Sequence, residues 1–466
     1  MATHDTHRRW PAYATVWRWH FYAGLFCIPF VLWLSLTGSI YLFRPQVEAW
    51  IDRPYAHVAS ASASAGPRAT AAAQVAAAVR AVPGSVLHRY QLPDTPEQAV
   101  QIVVGRGGSE TRVYVHPQSL AVLRAVDEDS RPMRIVFRLH GELLAGDAGS
   151  YLVELAASWT IVMLLTGLFL WWPRDGGRGG GGLGGVVYPR LGEKGRRFWR
   201  DLHGVTGFWV SAMALFLLVS GLPWAKSWGS YLKTVRTAVE GTPVKQDWST
   251  GHAAERQARA AGDAGTRAMM SDHADHGGMT MTHPAMSYAP LDRIAASVGP
   301  LHLSAPVLIA PPAGVAAPWT AKSDAADRPL RTDLTLDGGT GRILTRTDFA
   351  QRRLVDRLVG WGVAIHEGQA FGWANQLLNL VTALGLMLLS VSSVLLWWRR
   401  KPSGTLGAPP RQPGRAVCAL VVMVVMLALL LPLFGASLVI VLLAERLVLR
   451  HIPGVRRWLD LGRRRA

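Results

Sequence analysis

WHFYAGLFCIPFVLWLSLTGSIYLF, residues 19–43, decides the class of this chain. From Phe21 to Phe43 it carries no charged side chain. A helix needs about 20 such residues to cross a hydrocarbon core of roughly 30 Å. Apolar and polar residues do not alternate along the run, so a barrel strand is excluded. With no water to satisfy the backbone inside a bilayer, the run must be helical. Four more runs follow: Tyr151–Trp172, Phe208–Trp224, Trp373–Trp398 and Ala416–Leu449. The first run outlasts a signal peptide's apolar core and ends at Tyr41-Leu-Phe-Arg-Pro45 with no small-residue cleavage site, so a retained helix is expected. The last is too long for one ordinary span. Pro432 and Gly435 near its middle, with basic flanks at Arg411, Arg415, Arg446, Arg450, Arg456 and Arg457, predict a hydrophobic hairpin over 416–449 and a basic tail over 450–466. Six spans are expected, with five the alternative.

Half of the 466 residues are hydrophobic and 17% are charged, and the net charge is +18. A charge of that size raises the question of nucleic acid, but its placement answers no. Arg and Lys gather beside span ends: Arg8, Arg9 and Arg18, then Arg174, Arg178, Arg190, Lys194, Arg196, Arg197 and Arg200, then Arg399, Arg400 and Lys401. This is the distribution that orients membrane proteins with basic loops inside. It predicts a bacterial inner-membrane protein in contact with lipid, its N-terminus and its loop at 174–198 cytoplasmic. Segments 44–139 and 226–365 are then periplasmic. Cys27 and Cys418 both lie in apolar runs, which leaves no disulfide framework, no thiolate metal site and no motif for covalent haem.

The run at 19–43 has a counterpart. Trp17-Arg-Trp-His20 is followed by Gly24 and Thr37-Gly38; Trp199-Arg-Asp-Leu-His203 is followed by Gly207 and Ser220-Gly221. Counted from each histidine, the offsets are 4, 17 and 18 in both. His140 and His366 likewise precede Trp171-Trp172 and Trp397-Trp398 by 31 and 32 residues. The chain reads as a duplicated unit of helix, external module, histidine and helix. In the first module a helix is expected over Ala69–Arg80, then strands at Val86–Leu92, Ala99–Val104, Arg112–Val115 and Ala121–Val126. In the second, a helix over Leu291–Val298 precedes strands at Val307–Ala310, Arg331–Leu336 and Arg342–Thr345. The expected fold is an α-helical polytopic membrane protein with two small α+β periplasmic modules and a C-terminal hydrophobic hairpin.

The histidines carry the chemistry. His20 and His203 stand at cytoplasmic entrances of spans, and His140 and His366 precede spans on the external side. Two imidazoles at one depth on neighbouring helices can ligate one haem iron from opposite faces. Pairing by depth joins His20 with His203 and His140 with His366, giving two non-covalent haem b groups, one per leaflet. Gly24 and Gly207 leave room where a porphyrin face would lie, and the hydroxyl–glycine pairs suit close helix packing. The tryptophan pairs read as interfacial anchors. Glu154, within the second span, reads either as a proton or propionate contact or as an interfacial acid. Gly177-Arg-Gly-Gly-Gly-Gly182 lacks the strand and helix of a dinucleotide site and reads as a loop.

These motifs, namely Trp19-His20 with Thr37-Gly38-Ser39, Leu139-His140-Gly141, Thr166-Gly167 with Trp171-Trp172-Pro173, Asp201-Leu202-His203 and His366-Glu-Gly, resemble the PepSY-associated transmembrane family. Its members include iron-regulated membrane proteins and ferrisiderophore reductases. The resemblance runs from about residue 15 to 402 and takes in both external modules, which are then PepSY-like. It implies a haem-bearing bundle that passes electrons to a periplasmic metal or metal–siderophore complex. Ser392-Ser393 departs from Thr166-Gly167. No flavin or nicotinamide domain of the kind fused in some relatives is visible, which leaves quinol and a cytosolic flavoprotein open as donor.

One insert falls outside that pattern. Met269-Met-Ser-Asp-His-Ala-Asp-His-Gly-Gly-Met-Thr-Met-Thr-His-Pro-Ala-Met286 interleaves thioether and imidazole. His273, His276, Met279, Met281, His283 and Met286 form a set suited to copper and poorly to iron. A low-complexity linker is the plainer reading. Three functions compete: a transmembrane metal reductase for ferric-siderophore or cupric species, a non-redox accessory that captures and delivers copper, and a regulator whose modules bind a partner protein.

Overall fold

The computed structural model describes residues 13–58, 67–172, 184–241, 260–264, 288–312, 317–409 and 418–461. It is mostly helical and divides into two compact units, one of 1–39, 140–248 and 377–466, the other of 40–139 and 249–376. The methionine–histidine insert and the glycine-rich loop lie outside the described residues.

The first unit holds the long apolar helices. They are α1 (Tyr13–Tyr41), α5 (Gly146–Trp171), α6 (Gly195–Gly221) and α10 (Gly372–Trp398), with α11 (Cys418–Leu430) and α12 (Pro432–Ala444) from the last run. Among the described residues, five helices are long and apolar enough to cross a membrane, the fifth being Pro432–Leu449, and the chain is a multi-pass membrane protein. α1 and α6 begin well before their apolar runs. Long basic side chains such as Arg18 and Arg196 can extend a spanning helix past the hydrocarbon edge. His20 and His203 therefore lie about two turns inside their helices, ahead of the apolar runs that begin at Phe21 and Phe208. Small residues let the helices close up: a Cβ on Gly385 would sit 2.6 Å from Val210 Cγ1.

The last run is interrupted at Pro432. Pro432 lacks an amide hydrogen and forces Leu431 out of the helix (φ −122°, ψ 82°). α11 and α12 have 13 residues each and pack against each other. The second continues without a break to Leu449. Leu431 and Phe434 at the bend are buried against Ile161, Val162 and Leu222. Trp228 Nε1 donates to the Leu430 carbonyl at 3.0 Å, so the broken helix end has a partner.

The tryptophan pairs also divide. Trp172 and Trp398 are 62% and 73% exposed, as anchors should be. Trp171 instead stacks on Phe208 with ring centroids 4.2 Å apart, and its indole donates to Val186 O at 3.0 Å. Trp397 donates to Leu406 O at 2.8 Å. The first member of each pair ties a following loop to the bundle.

The second unit is built on one antiparallel sheet of eight strands. In chain order these are β1 (Val86–Leu92), β2 (Val100–Arg106), β3 (Ser109–Val115), β4 (Val122–Asp127), β5 (Val307–Ala310), β6 (Trp319–Ser323), β7 (Thr332–Leu336) and β8 (Ile343–Asp348). The spatial order is β4-β3-β2-β1-β5-β6-β7-β8. The strands of the two expected modules thus form one sheet, joined where Tyr90, Gln91 and Leu92 pair with Ile309, Leu308 and Val307. Joining them closes two inner edges that would otherwise expose unpaired amides. Helices α3 (Ala71–Ala81) and α8 (Ala289–Val298) bury Val75, Ala78, Leu291, Ile294 and Val298 in the same core as Ile102, Ile309 and Leu334.

His88 stands at an irregularity in the β1–β2 register. Bulges of this kind re-aim a side chain, and here the ring lies against Gly105. Its Nδ1 meets Glu110 Oε1 at 2.8 Å, and its Nε2 meets Asp263 Oδ1 in the short helical stretch at 260–264. Burial lowers the affinity of this imidazole for a proton, but the two carboxylates outweigh it, and the group titrates above its ordinary 6.5. A raised folded value means that the stabilisation is complete below about 6.5 and is lost as pH rises through the folded value. The thermal midpoint of the chain should fall as pH is taken from about 6 to about 8. His88→Gln should flatten that dependence.

Candidate functional site

Three of the four histidines meet a hydroxyl from a facing helix through Nδ1. His20 Nδ1 is 3.1 Å from Thr166 Oγ1, His203 Nδ1 is 3.0 Å from Ser392 Oγ, and His140 Nδ1 is 3.0 Å from Thr37 Oγ1. Thr37, read from sequence with Gly38 as a packing pair, is thus a ring partner, and Thr166 and Ser392 are the other two.

The direction of these bonds decides the chemistry. Thr166 Oγ1 donates to Val162 O at 2.9 Å, Ser392 Oγ to Leu389 O at 3.0 Å, and Thr37 Oγ1 to Trp33 O at 2.8 Å. Each hydroxyl has one hydrogen and has given it to its own helix, so toward the ring it accepts. His20 Nδ1 also lies 3.0 Å from the Met163 carbonyl, which can only accept. The Met163 carbonyl makes Nδ1 the protonated nitrogen of a neutral His20 ring and leaves the lone pair on Nε2, and the hydroxyl contacts of His140 and His203 match that arrangement. That is the tautomer a metal ligand needs, held by outer groups.

Space around two rings is set by glycine. A Cβ on Gly167 would lie 3.1 Å from His20 Cε1, and one on Gly38 would lie 3.1 Å from His140 Cε1. Gly24 and Gly207 are less demanding, since their added Cβ atoms would meet Met163 Sδ at 3.7 Å and Leu389 Cδ2 at 3.5 Å. At Ser392-Ser393 the hydroxyl bond is kept although the glycine is not.

His20 and His203 both belong to the first unit. With Thr166 and Ser392 they make one layer of the first unit. Thr37 and His140 make a second, since Thr37 follows His20 on α1 by 17 residues, a rise of about 26 Å. All four histidines are half-buried. His140 and His366 are not on the spanning helices themselves. His140 is on α4 (Pro132–Glu142), and His366 ends α9 (Leu354–His366) in the second unit. Each is followed six residues later by a glycine in the left-handed region, Gly146 (φ 60°) and Gly372 (φ 59°), where the span begins. The chain turns sharply there, and only glycine does so without strain. Two independent turns at one offset from two histidines were not read from sequence, though Gly146 and Gly372 were visible in it.

Glu154 has a structural role. Its carboxylate accepts from the amides of Ser227 at 2.9 Å and Trp228 at 3.1 Å, in the first turn of α7 (Lys226–Glu240). It caps that helix from across the bundle, satisfying donors that no intrahelical carbonyl reaches. Glu154→Ala leaves two buried amides unpaired. It should destabilise the bundle by about 1–3 kcal/mol, read as a lower thermal midpoint. Asp201, 2% exposed, was quoted only as part of a motif. Arg190 grips it through Nε at 2.6 Å and Nη2 at 3.0 Å, and Arg200 adds a contact at 3.1 Å. An acid inside an apolar helix demands such partners.

Among the described residues, no group of three or more His, Cys, Asp or Glu side chains is placed to hold a metal ion. No curated protein matches the sequence. The model of the PepSY-associated TM region matches residues 17–400, which is most of the chain and takes in all four histidines, and the chain belongs to that family.

Proposed function

We propose that the chain is a transmembrane electron-transfer protein that holds two b-type haems through His20 with His203 and through His140 with His366. The observation that carries this reading is a shared contact: His20, His140 and His203 each have Nδ1 engaged by a hydroxyl of a neighbouring helix, which leaves Nε2 for iron. A pair of neutral imidazoles fits low-spin haem iron, so the donor set suits the group. Haem at each level supplies a one-electron couple near each leaflet. The protein's part is to fix the rings and the spacing of about 26 Å between levels.

The matched spacings of the two halves support a duplicated helix–PepSY–helix plan, with each half giving one ligand to each haem. The basic loops support an inner-membrane orientation with His20 and His203 on the cytoplasmic side. Electrons then enter there, from quinol or a cytosolic flavoprotein, and leave to a periplasmic ferric-siderophore or cupric species. The insert at 269–286 favours copper as substrate or cargo, because its thioethers suit Cu(I). It also motivates a second reading, non-redox copper capture and delivery.

The test is a reduced-minus-oxidised absorbance spectrum of the purified, haem-supplemented protein. It is followed by reduction of Fe(III) or Cu(II) chelates outside proteoliposomes with reductant inside. A low-spin b-type spectrum and metal reduction across the bilayer support the reductase. A haem-free chain that loses copper binding when 269–286 is deleted supports capture instead.

A further inference from the structure

The end of α6 beyond His203 is unusually basic, with Lys194, Arg196, Arg197 and Arg200 and no acid in its first turn. Cations at a helix N-terminus oppose the macrodipole. Two of the four have local partners: Arg197 reaches Glu193 at 3.4 Å, and Arg200 reaches Asp201 at 3.1 Å. Arg196 is exposed and has no hydrogen bond or ion pair among the described residues. It precedes His203 by seven positions, two helical turns, and so projects from the same face of α6 about 10 Å further out.

Arg400 converges on the same place from another helix. It follows the end of α10 and turns back over α1, its guanidinium carbon 4.9 Å from the Trp17 ring centroid and 5.4 Å from that of Phe21. Those two rings flank His20 in sequence. Burial, and then the like charge of Arg196, lowers Arg400 below the ordinary guanidinium range. Arg196 thus stands on the His203 face of α6 and Arg400 over the helix that carries His20, both beyond those histidines. Like charges so placed repel unless an anion lies between them. Haem b carries two carboxylates on one edge of its ring.

We propose that Arg196 and Arg400 are the propionate clamp of the haem held by His20 and His203. The assignment rests on the bis-histidine reading above and adds to it the orientation of the haem, propionates toward the ends of α6 and α10. Charge-assisted bonds to guanidinium are the strong class of hydrogen bond. Each arginine should contribute about tenfold to haem retention.

The test compares the full chain with Arg196→Gln, Arg400→Gln and the double variant. Each is loaded with haem b or with its propionate dimethyl ester, and loss to excess apomyoglobin is followed by absorbance. With haem b, each substitution should speed release of one of the two haems about tenfold, and Arg196→Lys should recover part of the loss. With the ester, the unsubstituted chain should release as fast as the variants, which add nothing further. Unchanged release of haem b overturns the clamp. Equal acceleration with haem b and ester also overturns it, and points to lipid phosphate or to structure as the arginines' partner. A wild-type chain that takes up no haem overturns the bis-histidine reading itself, and the clamp with it.

Discussion

His203→Ala should lower the haem content from two per chain to one while leaving the protein folded. His203 is half-buried, and its ring contributes one hydroxyl contact to α10, at Ser392. The stability lost with that bond is about 1 kcal/mol. Loss of an axial ligand is a far larger event for the cofactor, because His20 alone leaves the iron with one protein nitrogen. The remaining haem should keep its low-spin spectrum, since Thr37 and His140 lie on another level of α1. Haemochrome content and thermal midpoint, measured on one preparation, separate the two effects. Loss of both haems with an unchanged midpoint would mean that the two levels are not independent.

Thr166→Val should weaken haem binding at the same level by about 10–100-fold, as removal of outer-shell partners of metal ligands does. Valine matches threonine in volume, so Gly167 and the His20 ring keep their space. What disappears is the acceptor 3.1 Å from His20 Nδ1. The Met163 carbonyl remains at 3.0 Å and holds part of the preference, which places the expected effect toward the lower end of that range. Thr166→Ser keeps the hydroxyl and should restore binding. A valine variant that holds haem as tightly as the parent would show that the hydroxyl does not orient the ring.

Much of this arrangement was legible because membrane helices are written plainly. A charge-free run leaves the backbone one option, and the equal offsets from His20 and His203 single out the histidines before any coordinate is known. The partners of the rings were legible only as letters. Thr37 stood out as a packing residue and Thr166 and Ser392 only as motif positions, and nothing in the spacing says that a hydroxyl bonded to its own helix meets a ring on a neighbour. Glu154 was ambiguous for a related reason. Its role depends on the first turn of α7, more than 70 residues away. The joining of the sheet through β1 and β5 is likewise long-range, and β6 escaped notice because five residues between turns carry little pattern. The break at Leu431 was signalled by Pro432.

The most direct test of the central claim is a pyridine haemochrome titration of the purified chain against its protein concentration, after supplementation with haem. The account predicts two b-type haems per chain. A well-folded protein that binds none would contradict it.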